Sequence, residues 1–338
     1  MFPEIASVSV PGRVCLGGES LDWMIRGPSV VGAIPLRTHV EVSPPADGRP
    51  TLRITSGSPL QMSREIPVDV LGVRSTHPLG HVQAAAHVFS QTTGRPVAAA
   101  LRIQSSIPLN AGVSSSAAVT VAVIGALNAY WRTGLRVEEI CALAFRVEDR
   151  ELHTGAGQMD FYACGLGGIL HLSCAREPPL ITQCPQIPSD LRVVLVDTLT
   201  PHTTRTFLSS KRLRFLQGDP LIRSYIDHVE AAVEQMRELL GDVGAYIAQI
   251  GNLVTTCHTC LRDYLRCSTE LLETCVTSCL AAGAHGAKLT GSGMGGCMFA
   301  LAAEDRVPAI IHALEDLPVR TFVFPFSETG ISVERASS

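Results

Sequence analysis

Three consecutive serines at the start of an apolar segment are the clearest chemical signal in the sequence. Ser114, Ser115 and Ser116 follow a turn that contains Gly112, and the residues after them, 117–127, are almost all apolar. One serine is enough to cap a helix, because its hydroxyl accepts a hydrogen bond from a free backbone N–H group of the first turn. The other hydroxyls and N–H groups lie at the positive end of the helix dipole, which suits phosphate groups. Taken alone, the run leaves two interpretations open, a capped helix and a phosphate site.

A hydroxyl in this turn could also hold Mg²⁺, which prefers oxygen ligands and usually shares them with nucleotide phosphates. The phosphate-binding motif GxxxxGK[ST] is absent, because neither Lys211 nor Lys288 is followed by serine or threonine. These are the only two lysines in the sequence, and we interpret the excess of arginine as a compositional bias. The serine turn is thus a candidate for phosphate and Mg²⁺ without the lysine of that motif.

A glycine-rich segment near the C-terminus is the second candidate for close contact with a ligand. Gly291, Gly293 and Gly296 satisfy the pattern GxGxxG, which is typical of dinucleotide-binding folds. Such a turn must follow a strand and open a helix, whereas the next segment, 297–302, is apolar and resembles a strand. The context therefore argues against a dinucleotide fold.

Composition indicates a globular protein with room for two domains. The chain has 338 residues, of which 46% are hydrophobic and 17% charged. A net charge of −4 gives no reason to expect nucleic acid or an anionic membrane as a partner. The N-terminal segment lacks the features of a signal peptide, and the longest apolar stretch, 117–127, is too short to span a bilayer. We expect a cytoplasmic protein, as a monomer or a homodimer.

The pattern of elements predicts an α+β architecture, because runs of strands alternate with pairs of helices. A proline-rich connection, 174–190, is the best domain boundary, and it divides the chain into domains of residues 1–185 and 186–338. Strands are predicted in 7–16, 29–43, 96–109, 167–173, 191–198 and 288–302, and helices in 84–94, from the serine run to Tyr130, in 137–153 and through most of 221–282.

The cysteines and histidines favour packing over metal binding. Cys257 and Cys260 form a CxxC pair, but a second pair at zinc-ribbon spacing is missing and the segment is predicted to be helical. Structural zinc is the less favoured alternative, because cysteine commonly behaves as a small buried hydrophobe. His77, His81 and His87 receive the same interpretation, since Pro78 interrupts the helix that would align the first two.

Three ordered segments resemble the signature motifs of the GHMP kinase superfamily, which includes galactokinase, homoserine kinase, mevalonate kinase and phosphomevalonate kinase. They are residues 10–23 (VPGRVCLGGESLDW), the serine turn, and residues 287–302 (AKLTGSGMGGCMFALA). The resemblance covers nearly the whole chain. It implies a two-domain kinase, with an N-terminal domain similar to domain 2 of ribosomal protein S5 and a ferredoxin-like C-terminal domain. The implied cofactors are ATP and Mg²⁺.

The resemblance also implies roles for individual residues. Glu148 and Asp160 match an acidic pair of galactokinases in spacing and context. Glu148 and Ser116 would hold Mg²⁺, Asp160 would accept or orient the proton of the substrate hydroxyl, and Arg13 would stabilise charge beside it. The nucleotide would be bound by two loops, made of Asn110, Ala111, Gly112, Val113, Ser114, Ser115, Ser116 and Ala117 in the first and Gly291 and Gly293 in the second.

For the substrate, the sequence GESLDW resembles the GEHxDY segment of galactokinases. Glu19 and Asp22 are kept, whereas Ser20 stands where the histidine is expected and Trp23 replaces the tyrosine. The implied substrate-binding residues are Glu19, Ser20, Asp22 and Asp160. Thr204 is a weaker substrate-binding candidate, as is Arg205, because residues 197–207 resemble the stretch that mevalonate kinases place near the substrate. The lost histidine argues against galactose itself, because sites built for particular hydroxyls discriminate steeply.

The resulting function is ATP- and Mg²⁺-dependent phosphorylation of a hydroxyl on a small polar molecule, a sugar or sugar derivative. Mevalonate-type phosphorylation is the nearest alternative, and the sequence shows no obvious basic cluster for a substrate carboxylate. A non-catalytic sensor that binds sugar and ATP is the third possibility. Because Ala117, Ala118, Glu148 and Asp160 are all present, catalysis is favoured over sensing.

Overall fold

The computed structural model describes residues 5–45, 48–58, 60–200 and 204–334, and for residues 204–206 the backbone alone. Two sheets with separate sets of helices form an α+β architecture, as expected.

The first sheet has eight strands in the described part of the chain. Its main path runs β12-β1-β2-β5-β3-β4, and two further strands, β6 and β7, extend from the first part of β2. Every pair in this sheet is antiparallel except β3 with β5. The strands are β1 (Ala6–Gly17), β2 (Pro28–Ser43), β3 (Thr51–Ser56), β4 (Met62–Pro67), β5 (Ala99–Ser105), β6 (Ile169–Ser173), β7 (Leu180–Gln183) and the C-terminal β12 (Ser332–Glu334).

Helix α3 (Ser115–Trp131) forms the centre of the first domain's core. Its residues are apolar nearly all round, so it is buried against β1, β2 and a neighbouring helix rather than exposing one polar face. This burial fixes the serine turn at its N-terminus in the middle of the molecule. The other helices of this domain are α1 (Leu21–Ile25), α2 (Gly80–Thr93), α4 (Val137–Arg146) and α5 (Met159–Leu166), and a π-helical turn (Val147–Leu152) continues α4.

The second sheet has four antiparallel strands in the order β11-β8-β10-β9. Counted within this sheet the order is 4-1-3-2, and helices follow its first and third strands, which is the expected ferredoxin-like arrangement. The strands are β8 (Leu191–Asp197), β9 (Gly286–Leu289), β10 (Cys297–Ala303) and β11 (Arg320–Phe324), and the helices are α6 (Thr204–Leu216), α7 (Pro220–Leu239), α8 (Val243–Cys260), α9 (Glu270–Ala281) and α10 (Val307–Leu314).

The change from one sheet to the other occurs between β7 and β8, close to the proposed domain boundary at residue 185. Near residue 332 the chain rejoins the first sheet, where β12 pairs with β1. Residues 332–334 thus belong structurally to the first sheet, although the proposed boundary assigns them to the second domain.

All eleven cysteines are buried free thiols. Within the described ranges, no helix combines the length and the apolar character needed to cross a membrane.

Candidate active site

A cavity of about 490 Å³ lies where the two domains meet. Its wall includes the end of β1, the serine turn, the start of α5, part of α6 and the loop between β9 and β10. It brings together most of the predicted site residues, namely Arg13, Glu19, Ser20, Asp22, Asn110, Ala111, Gly112, Ser114, Ser115, Ser116, Glu148, Asp160 and Gly291.

Four of the predicted site residues are not among the described residues that line the cavity. Val113 and Ala117 are buried behind the serine turn, and Gly293 packs against the Cys267 backbone. Thr204 begins α6, but its side chain, like that of Arg205, lies outside the described residues.

No serine side chain of the serine turn caps the N-terminus of α3. Ser114 is the N-cap residue of α3, yet it has a left-handed backbone (φ 64°) and its hydroxyl makes no capping hydrogen bond. That hydroxyl is buried and has no hydrogen-bond partner in the structure. Asn110 and Gly112 are also left-handed, so the turn holds an unusual conformation with free donors at the helix start. The capping explanation is therefore wrong, because Ser114 occupies the N-cap position without making the side-chain hydrogen bond of a cap.

The serine turn and the glycine loop interlock through their backbones. A Cβ atom at Gly112 would overlap the Thr290 carbonyl oxygen, and one at Gly291 would overlap Gly112. In addition, the Cys297 N–H group donates to the Ala111 carbonyl at 2.9 Å. Residues with a Cβ would push the two loops apart, so both glycines are needed to place the loops together on the cavity wall.

We expect Gly112→Ala to disrupt this interlock. Gly134 is a matched control, because it has the same φ of 78° but nothing lies within 4 Å of a Cβ there. Gly134→Ala should cost about 1–2 kcal/mol of unfolding free energy from left-handed strain alone. Gly112→Ala should cost more and should also weaken ATP binding, as measured by denaturant unfolding and calorimetric titration. Equal effects of the two substitutions on both quantities would contradict the interlock.

Arg13 and Asp160 form a bidentate ion pair on the cavity wall. Arg13 Nε and Nη2 donate to the two carboxylate oxygens of Asp160, each at 2.8 Å, and Nη1 donates to the Gly112 carbonyl. Burial alone would lower the pKa of Arg13, but the Asp160 carboxylate outweighs it and the pKa is raised. The guanidinium is 4% exposed and the carboxylate 26%, so the pair presents its acidic member to the cavity.

Glu148 is a buried carboxylate that fits a magnesium site. Burial would raise its pKa, but hydrogen bonds from His81, Thr154 and Ser116 hold the pKa below its ordinary value, so the carboxylate is ionised. The Ser116 hydroxyl beside it supplies a second oxygen donor. Among the described residues, no cluster of three or more His, Cys, Asp and Glu side chains could hold a metal ion alone. A site of few protein oxygens suits Mg²⁺, which takes its other ligands from phosphates and water.

His81 is a site residue that the sequence interpretation missed. It lies in the first turn of α2, and its Nε2 is 3.2 Å from Glu148 Oε1. Helix α2 begins after Pro78, so His77 lies outside it, but His81 needs no alignment with His77 to reach the cavity. Its partner comes from the π-helical turn, which is distant in sequence, so no local pattern could indicate the contact.

Glu19 is paired with a buried lysine. Lys288 is fully buried on β9, and its Nζ bonds Glu19 Oε1, whereas Glu19 Oε2 is buried with no hydrogen-bond partner in the structure. The Tyr225 hydroxyl fixes the same segment by donating to the Glu19 carbonyl at 2.6 Å. Both lysines of the chain are buried. Lys211 is 1% exposed and lines the cavity. Composition alone gave no indication of these two buried positions.

Asp22 is held by backbone donors. Its Oδ1 accepts from the Trp23 N–H group at 2.9 Å, and its Oδ2 accepts from that of Met159 at 3.1 Å. Burial raises the pKa of Asp22 to about 6; the Met159 hydrogen bond opposes the shift, and the Asp160 charge adds to it.

This pKa predicts a pH dependence of acceptor binding. Ionised Asp22 can accept hydroxyl hydrogens, and protonation removes part of that capacity. The KM of the acceptor should therefore fall as the pH rises through about 6, and steady-state kinetics would measure it. Asp22→Asn should lack this step. A flat profile in the wild type, or the same step in the variant, would contradict the assignment to Asp22.

Comparisons with known proteins agree with the fold. Residues 80–168 match the GHMP kinases N terminal domain, and residues 232–319 match the GHMP kinases C terminal domain. The chain is 31% identical to mevalonate kinase of Thermococcus gammatolerans, with 96% of this chain and 97% of that protein covered. It is 30% identical to galactokinase of Streptomyces coelicolor, with 91% and 87% covered.

A solved structure shows the same fold. Galactokinase of Lactococcus lactis in complex with galactose superposes with a TM-score of 0.81 at 19% identity, covering 98% of this chain and 95% of that one. With both domain matches and full-length relatives of this identity, the chain belongs to the GHMP kinases and is a phosphotransferase with their two-domain fold.

Proposed function

We propose that the protein transfers the γ-phosphoryl group of ATP, with Mg²⁺, to a hydroxyl of a small polar acceptor, a sugar or sugar derivative. One observation carries this proposal most: the Arg13–Asp160 pair, the serine turn and buried Glu148 share one cavity. Phosphoryl transfer requires mainly positioning and charge stabilisation, which these groups can supply.

The nucleotide phosphates would lie at the serine turn. Its backbone N–H groups, the orphaned Ser114 hydroxyl and the dipole of α3 all favour an anion there. Ser116 and Glu148 would hold Mg²⁺, which when bound neutralises phosphate charge. Gly291 would allow the glycine loop to approach the same phosphates, while Gly293, Val113 and Ala117 would support the two loops from behind.

Asp160 would accept or orient the proton of the acceptor hydroxyl. Its carboxylate faces the cavity, and the two hydrogen bonds from Arg13 fix its plane. The hydroxyl proton passes to Asp160 Oδ as the hydroxyl oxygen forms its bond to the γ-phosphorus, while the bond from that phosphorus to the bridging oxygen breaks and ADP leaves. Arg13 keeps the carboxylate in place and offsets negative charge that develops beside it.

The acceptor would lie against Glu19, Ser20 and Asp22, with Thr204 nearby on α6. Two carboxylates can accept several hydroxyl hydrogens at once, which suits a polyhydroxylated ligand. Mevalonate is the second candidate, because relatives named mevalonate kinase are 28–31% identical over nearly the whole chain. Lys211 lines the cavity and is a cation that the carboxylate of mevalonate could contact, although the sequence showed no obvious basic cluster for it.

The test is ADP release by purified protein with Mg-ATP across hexoses, pentoses, uronic acids, amino sugars, heptoses, cyclitols and mevalonate. Turnover on a sugar would support the proposal, and turnover on mevalonate alone would replace the acceptor but keep the mechanism. ATP binding without turnover on any compound of this panel would favour the sensor alternative.

A further inference from the structure

We propose that Lys211 binds an anionic group, a carboxylate or a phosphate, on the acceptor molecule. This inference rests on the proposed function and makes its acceptor more specific. It assigns a role to a cavity residue that the phosphoryl-transfer chemistry described above does not use.

Lys211 is a buried cation that faces the cavity. It lies on α6 with 1% exposure, and its Nζ donates to the Ser292 carbonyl at 3.0 Å. The ammonium also lies 5.0 Å from the centroid of the Phe207 ring. The Cys267 thiol shares a side-chain hydrogen bond with Lys211. A carbonyl, a ring face and a thiol are weak partners for a desolvated ammonium group, which carries three donors.

Three of the other charged groups around the cavity have side-chain partners, whereas Asp22 is held by backbone N–H groups. Arg13 is paired with Asp160, Lys288 with Glu19, and Glu148 lies beside His81. Lys211 makes no ion pair with a carboxylate among the described residues. Burying a charge without a counterion costs free energy. An anion that enters the cavity is therefore stabilised most beside the Lys211 ammonium group.

The groups beside Lys211 would complete an anion site. The Ser292 hydroxyl is buried on the cavity wall and has no hydrogen-bond partner in the structure. It could donate to the same anion, since its backbone carbonyl already orients the ammonium group. Together, the hydroxyl and the ammonium offer the donors that a carboxylate or a phosphate accepts.

The location indicates the acceptor rather than ATP. Helix α6 packs on the acceptor segment, where the ring of Phe215 lies 6.0 Å from that of Trp23 and the guanidinium of Arg212 lies 5.3 Å from it. Lys211 and Glu19 also act on the same thiol: burial raises the pKa of Cys267, Lys211 lowers it and Glu19 raises it. Lys211 therefore lies where α6 packs on the acceptor segment and beside the glycine loop, whereas the expected ATP phosphates lie at the serine turn.

The chemical class that fits is a hydroxylated anion, such as a sugar acid, a sugar phosphate or a hydroxy acid. Glu19 and Asp22 would accept the hydroxyls, and Lys211 with Ser292 would bind the anionic end. A neutral hexose would leave the buried ammonium without a counterion.

The test measures binding by calorimetry without ATP, using galacturonate, galactose 1-phosphate, (R)-mevalonate and neutral galactose. Wild type should bind at least one anionic probe about tenfold or more tightly than galactose. Lys211→Met should lose that preference, whereas Lys211→Arg should retain most of it. The dissociation constant of ATP should stay within about twofold in both variants. Comparison of the two sugar anions distinguishes a carboxylate site from a phosphate site.

Arg223→Met is the matched control, because it removes one positive charge at an exposed position of α7. Melting temperatures show whether Lys211→Met still folds, and rescue by arginine distinguishes charge from packing. Equal binding of galactose and the anions by wild type, or loss of ATP affinity instead of anion affinity, would overturn the proposal. Because these are binding data, they remain separate from the ADP-release test of kinase activity.

Discussion

Replacing Asp160 by asparagine should lower kcat by about 10³-fold, within the range of 10²–10⁴ expected when a positioned acid or base is lost. Asparagine keeps the shape and one oxygen, but it cannot take the proton of the acceptor hydroxyl. ATP affinity should change little, because Asp160 does not belong to the serine turn. Steady-state ADP release and calorimetric ATP binding would measure the two quantities.

The control for this variant must separate chemistry from folding. Asp160→Asn leaves buried Arg13 with a neutral partner, which can cost about 3–5 kcal/mol of unfolding free energy if the pair is broken outright. Denaturant unfolding would show that cost directly. Asp227→Asn, at an exposed position of α7, removes the same charge away from the cavity and should leave kcat unchanged. Wild-type turnover by folded Asp160→Asn would mean that another group handles the proton.

Replacing Glu148 by glutamine should produce the second large effect, a loss of about 10²–10³-fold in kcat/KM at ordinary Mg²⁺ concentrations. The change keeps the size of the side chain but removes the buried negative charge that would hold Mg²⁺ with Ser116. The Mg²⁺ concentration for half-maximal activity should therefore rise. A magnesium titration of ADP release would measure the shift.

Glu138→Gln serves as the comparison, since Glu138 is exposed in the first turn of α4. Its magnesium dependence should match the wild type. If Glu148→Gln kept the wild-type magnesium curve, Glu148 would have only a structural role beside His81. Ser116→Ala should shift the curve in the same direction by a smaller amount, because a hydroxyl is a weaker ligand than a carboxylate.

Local sequence patterns predicted most of the elements because those elements depend on local physics. The alternation of β-branched residues in 29–43 predicted a strand, and β2 lies there. Helix α2 ends at Gly94, which has a left-handed conformation that favours glycine. The apolar segment after the serines became the buried helix α3. The glycine loop is followed by β10, so the argument against a dinucleotide fold is confirmed.

The contacts that complete the site depend on the tertiary fold and could not be predicted in this way. His81 contacts Glu148 because α2 packs on the π-helical turn. Lys288 contacts Glu19 from β9, which belongs to the second sheet. Neither pair shares a local pattern. Lys211 was overlooked for the same reason, since its burial depends on the glycine loop, which lies far away in sequence.

The serine turn shows how a local rule can fail at a functional position. Serine is a good capping residue, but three left-handed residues within 110–114 turn the chain so that Ser114 cannot cap. Strained backbone of this kind commonly occurs where a ligand binds. A sequence rule for caps does not include the conformation of the whole turn, which packs against the glycine loop.

The most direct test of the account follows the γ-phosphoryl group itself. The protein would be incubated with Mg²⁺, γ-labelled ATP and the best acceptor from the panel, and the label would be traced to its product. The account predicts that the label appears on an acceptor hydroxyl, with one ADP formed for each phosphorylated acceptor, and that Asp160→Asn slows this transfer about 10³-fold. Label found only as free phosphate, or transfer at the wild-type rate in the folded variant, would contradict it.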